Sequence, residues 1–143
     1  MRNPIDRSWS GILHQMKMRN EKFTDFSESE IVVQLESQHN TRRSDYLSTI
    51  HNWTSIFPSD QLLLLYFDDI KTKPKRVIRK VLSFLNLNKL FTRKGNYKKK
   101  VNQGLDIKIP KRFRNFLHEI YDEKIDDLYR ELKNPIIKTW KEK

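Results

Sequence analysis

The sequence predicts an α/β chain, mostly helical, with one clear buried strand and an incomplete parallel sheet. Two observations carry this expectation. Apolar residues recur at helical spacing through most of the chain, whereas the run Leu62-Leu63-Leu64-Leu65-Tyr66-Phe67 has neither alternation nor helical length. A strand apolar all along belongs in a parallel sheet, with neighbours on both edges and layers on both faces. Either a second strand hides in the polar stretches or, as is expected here, the sheet partners come from elsewhere. Arg2-Asn3-Pro4 has the pattern of the exit from a strand.

The elements come in this order along the chain. Asn3-Pro4 is an N-cap and first-turn proline, after which Ile5, Trp9, Ile12, Leu13 and Met16 fall on one helical face. Ser27-x-x-Glu30 fits a capping box ahead of Ile31, Val32 and Leu35. Tyr46, Ile50, Trp53 and Phe57 form a further stripe that Pro58 ends. After the Leu62–Phe67 strand and the Asp68-Asp69 stop, Thr72-x-Pro74 opens a helix bearing Val77, Ile78, Val81, Leu82, Phe84 and Leu85. From Pro110, the pattern Phe113, Phe116, Leu117, Ile120, Tyr121, Ile125, Leu128, Tyr129, Leu132 describes one long helix or two consecutive ones, ending before Pro135. The tail to Trp140 docks or trails free.

Composition narrows the function classes. The 143 residues suit one domain, and 29 Lys+Arg against 18 Asp+Glu leave a net charge of +11, which points to an anionic partner. Nine basic residues lie between Arg93 and Arg114 against one acid, Asp106. With 0 cysteines, thiolate metal sites, disulfides and thiol nucleophiles are excluded. The 3 glycines leave few places for backbone to cradle a ligand closely, so a phosphate site must use side chains and helix ends. The longest apolar run is far short of the roughly 20 residues of a membrane span, and Arg2 and Asp6 interrupt any leader at the start. The expectation is a cytoplasmic protein with no membrane partner.

The candidate chemistry begins at Arg2-Asn3-Pro4-Ile5-Asp6-Arg7-Ser8-Trp9-Ser10. An arginine just before a helix start sets a planar, five-donor fork beside the positive end of the helix dipole. Ser10 lies roughly 115° from the centre of the Ile5/Trp9/Leu13 stripe, free to point along the surface. Arginine and hydroxyl together would clamp a monophosphate; an exposed arginine and an exposed helix serine fit the same letters. The Lys98–Lys100 run is likewise either part of a site or a solvated charge run.

The run Arg2-Asn3-Pro4-x-Asp6-Arg7-x-x-Ser10 resembles the 3′-phosphate-binding motif of PAPS-dependent sulfotransferases. The likeness continues through Asp45-Tyr46-Leu47, Trp53, Phe57-Pro58, Leu62 to Ile70, Pro74 and Phe84-Leu85. Lys100-Val101-Asn102-Gln103-Gly104, Ile109-Pro110, Leu117, Tyr121, Ile125, Leu128 and Trp140 resemble the C-terminal part of the carbohydrate, heparan-type members.

The resemblance implies a P-loop-type three-layer fold, of which residues 1–143 would be the C-terminal part of a single domain lacking the phosphosulfate-binding loop. It implies PAPS as co-substrate, with Arg2 and Ser10 on its 3′-phosphate and Lys100 and Gly104 in a loop closing over the nucleotide. It implies sulfuryl transfer to a hydroxyl or amine, with a carbohydrate as the expected acceptor, and an upstream polypeptide completing the domain. The chain alone is expected to turn over little. No metal is expected, Asp68-Asp69 being read as helix capping, and no base is assigned among His14, His39, His51 and His118. The competing expectation is a basic, non-enzymatic module for nucleic acid or anionic polysaccharide.

Overall fold

The structure, a computed structural model, describes residues 1–87 and 104–142. Helices run in the order α1 (Pro4–Met18), α2 (Glu28–Glu36), α3 (Gln38–Arg42), α4 (Tyr46–Thr54), α5 (Phe67–Thr72), α6 (Pro74–Phe84), α7 (Lys111–Leu132) and α8 (Pro135–Lys138). Short 3₁₀ turns occupy Phe23–Asp25 and Ser59–Gln61.

The expected α/β architecture is overturned. Among the described residues there is no strand and no sheet, so the P-loop-type layering is not seen. Leu62 to Tyr66 is extended, with φ −114° and ψ 118° at Leu62 and φ −109° and ψ 133° at Tyr66, yet it joins no ladder. Met1 lies alongside its end: the Met1 carbonyl accepts from Phe67 N at 2.7 Å and the Met1 amino group donates to Leu65 O. Sequence dictates the extended backbone; a strand also needs a neighbour of several residues.

The chain divides into two compact units. One comprises Met1–Arg2 with His51–Asn102, the other Asn3–Ile50 with Gln103–Lys143. In the second unit α1 packs on α2, α3 and α7, and α7 packs on α8. Its core joins Ile5, Trp9, Ile12, Leu13 and Met16 of α1 to Ile31 and Leu35 of α2 and to Phe113, Leu117, Tyr121, Ile125 and Leu128 of α7. Trp9 stacks on Phe113 at 5.7 Å between centroids and meets the edge of Phe23 at 5.5 Å. The segment from Pro110 forms one helix rather than two. It ends at Lys133 in the left-handed conformation, φ 48°, and Asn134 then caps α8 by accepting from Ile136 N at 3.0 Å. The tail docks, because Ile137 and Trp140 are fully buried.

In the first unit α5 packs on α6. Only Tyr66 and Val77 of its described residues are buried, whereas Trp53, Ile56, Ile70, Leu85 and Leu87 are exposed. The stripe from Tyr46 to Phe57 divides: in the second unit Tyr46 and Ile50 are half-buried and the Tyr46 ring lies 6.4 Å from that of Trp140, whereas in the first the Trp53 and Phe57 rings are exposed and lie 5.4 Å apart.

Candidate functional site

Helix α1 begins where the sequence places it. The Asn3 side chain accepts from Ile5 N at 3.0 Å, and Pro4 fills the first helical position, where an N–H would have no partner. Asn3 is itself buried, and its amide nitrogen donates to Trp140 O at 2.9 Å. One side chain thus both starts the helix and ties it to the end of the chain.

Arg2 belongs to the first unit and Ser10 to the second. The Arg2 guanidinium sits 5.2 Å from the centroid of the Phe67 ring, and Lys71 Nζ lies 5.0 Å from the same centroid. The negative face of an aromatic ring holds such cations in place. Two cations around one ring also raise the local positive potential beside Arg2, which suits an anion. The neighbouring Met1 amino group is lowered from its ordinary value by burial, with Asp68 pulling it upward, and burial raises the Tyr66 hydroxyl, reinforced by Asp69.

Ser10 is half-buried on α1, and no hydrogen bond of its hydroxyl occurs among the described residues. The adjacent Trp9 donates its indole N–H to Ile107 O at 2.8 Å. This bond ties the irregular segment that carries Gly104 to the helix turn that carries Ser10. Gly104 is exposed, and a Cβ added there would meet nothing within 4 Å. Lys100 and the basic residues from Arg93 to Lys99 lie outside the described residues.

A polar network around Arg7 has no counterpart in the sequence pattern. Its guanidinium donates to Asn40 O at 2.6 Å, Asn40 Oδ1 at 3.1 Å and Ser44 Oγ at 3.1 Å. Asn40 in turn donates to Ser8 Oγ and to Leu35 O, and Ser8, Asn40 and Ser44 are all buried. A Cβ at Gly11 would stand 3.1 Å from Asn40 Oδ1, so α1 and α3 approach closely there. The network sets the roll of α1 about its axis, and with it the direction of Ser10. Arg7 stands inside the motif from Arg2 to Ser10, but its partners are more than 30 residues away, where spacing has no reach.

The histidines divide. His14, His39 and His51 are exposed, while His118 is half-buried with Nδ1 at 2.8 Å from Asp122 Oδ1, one turn along α7. Asp68 and Asp69 occupy the first turn of α5, where negative charge faces the positive helix end. Among the described residues no group of three or more His, Asp and Glu side chains is arranged to hold a metal ion.

The described geometry thus offers, in the first unit, an arginine over the Phe67 ring with Lys71 nearby and, in the second, the Ser10 hydroxyl on a helix turn to which the Gly104-bearing segment is tied. No curated protein matches the chain. Residues 1–92, more than half of the chain and including the whole Arg2 to Ser10 run, match the family described as the sulfotransferase domain. The chain therefore belongs to the sulfotransferase domain family, a transferase family that moves sulfuryl groups from a nucleotide donor to an acceptor.

Proposed function

We propose that the chain binds PAPS, with the Arg2 guanidinium and the Ser10 hydroxyl on the donor's 3′-phosphate, and that the acceptor is a carbohydrate hydroxyl or amine. The observation that carries this reading is the family match across Arg2 to Ser10 at a capped helix start. An arginine fork beside a helix N-terminus is the arrangement that favours a phosphate dianion. Lys100 and Gly104 are proposed to border the nucleotide. The tether from Trp9 to Ile107 supports this for Gly104, because it draws that segment towards the turn bearing Ser10.

The reaction is an in-line displacement at sulfur. The bond from sulfur to the bridging phosphate oxygen breaks and one to the acceptor oxygen or nitrogen forms. The acceptor proton leaves to a base, and adenosine 3′,5′-bisphosphate departs. Catalysis of this kind rests on positioning and on cations facing charge that develops at the bridging oxygen.

Calorimetric titration with adenosine 3′,5′-bisphosphate tests the clamp, with adenosine 5′-monophosphate as the ligand lacking the 3′-phosphate. Arg2→Ala and Ser10→Ala should each weaken the bisphosphate by about tenfold or more, as loss of a charge-assisted contact does, and leave the monophosphate unchanged. Equal affinity of both variants and the parent for the bisphosphate sinks the assignment.

A further inference from the structure

Helix α6 carries two faces that no step of sulfuryl transfer uses. From Lys71 to Lys80 the chain places six cations, Lys71, Lys73, Lys75, Arg76, Arg79 and Lys80, all exposed, and no acid occurs between Ile70 and Leu87. At 100° per residue, Lys75, Arg79, Arg76 and Lys80 of α6 fall within an arc of about 140°. Pro74, Val77, Ile78, Val81, Leu82, Phe84 and Leu85 fill an arc of about 160° on the other side. Val77 is buried, but Ile78 and Phe84 are each 37% exposed and Leu85 54%. Ile70 of α5 and Leu87, on either side of α6 along the chain, are 44% and 49% exposed.

We propose that α6 is a membrane-surface helix that lies in the headgroup region of an anionic phospholipid bilayer. The two faces together choose this partner. A soluble polyanion would satisfy the cations and leave Ile78, Phe84 and Leu85 in water. A purely apolar partner would cover those side chains and gain nothing from six cations. A bilayer with acidic headgroups is anionic at its skin and apolar just beneath, so it meets both requirements at once. Lys75 and Lys80 border the apolar arc on its two sides, and their long stems allow the ammonium groups to reach the headgroups while α6 sinks on its apolar side. The sequence expectation of no membrane partner rested on the lack of a span. No described helix is long and apolar enough to cross a bilayer, but a helix lying in the interface needs only one apolar face.

Vesicle flotation of the whole chain tests the proposal, comparing pure phosphatidylcholine with vesicles carrying about one quarter phosphatidylserine. The bound fraction should rise about tenfold or more on the anionic vesicles and fall as salt is raised. The paired variant Arg76→Glu/Arg79→Glu should lose the preference. Phe84→Ser/Leu85→Ser, which keeps every cation, should lose binding as well, with helicity by circular dichroism confirming that both variants fold. Equal binding to the two vesicle types overturns the proposal. So does retention of anionic-vesicle binding by Phe84→Ser/Leu85→Ser, and a sulfated oligosaccharide or single-stranded RNA bound equally by parent and that variant would then assign the surface to soluble polyanions.

Discussion

The two units of this chain solve the burial problem differently. In the second unit, α1, α2, α7 and α8 contribute fully buried apolar side chains to one core, and the tail brings Trp140 to 0% exposure. In the first, the described residues bury Tyr66 and Val77 and leave Trp53 and Leu85 more than half exposed. Apolar content alone therefore does not make a core. A helix from one part of the sequence must present its stripe to a stripe from another part, as α1 and α7 do, whereas α6 is strongly amphipathic and still presents much of its apolar face outward.

The largest expected effect separates the units by tryptophan. Trp140→Ala should cost about 3–5 kcal/mol in urea unfolding, since it empties a fully buried site. Trp53→Ala, at a site 52% exposed, should stay within about 0.5 kcal/mol. Comparable losses from both would break the contrast.

Next comes the polar network. Removing the Asn40 side chain leaves Ser8 and Arg7 short of partners, so Asn40→Ala should destabilise by about 1–3 kcal/mol. Through the altered roll of α1 it should also weaken nucleotide binding that depends on Ser10. A stability loss with unchanged bisphosphate affinity would show that the network serves packing alone. Asn3→Ala removes the α1 cap and the bond to Trp140, and about 1–2 kcal/mol should go with them in the same unfolding measurement.

The smallest effect belongs to the α2 capping box. Ser27 hydrogen bonds hold Glu30 below the ordinary carboxylate range. A lowered folded-state pKa stabilises above the unfolded value and is lost as pH falls through the folded one. Helicity at α2 should therefore fray in acid, at a pH below the ordinary Glu range. Ser27→Ala should abolish that pH dependence; an unchanged acid profile measured by NMR at Glu28–Ile31 would remove the box from the account.

Much of the helical structure was legible in the sequence because its causes are local. Asn3-Pro4, Ser27-x-x-Glu30 and Pro74 start helices by satisfying or removing backbone donors within one turn, and all three do so here. The Leu62–Phe67 run misled because its letters report a tendency to be buried and extended, not the presence of a pairing neighbour. Of the proposed site, the sequence names Arg2, Ser10 and Gly104 as candidates through their chemistry and spacing. The cation pair at Phe67, the Trp9 bond to Ile107 and the Arg7 network were invisible, since each needs residues brought together from distant sequence positions.

By itself, then, the sequence determined where helices begin, which faces are apolar, the basic charge and the sulfotransferase motif, all of which depend on neighbours within a few residues. Only the tertiary structure decided which apolar faces find one another, that the leucine run stays outside any ladder among the described residues, and which way α1 is turned. Those outcomes depend on contacts between remote segments, and such contacts form only where chain connectivity brings complementary surfaces together.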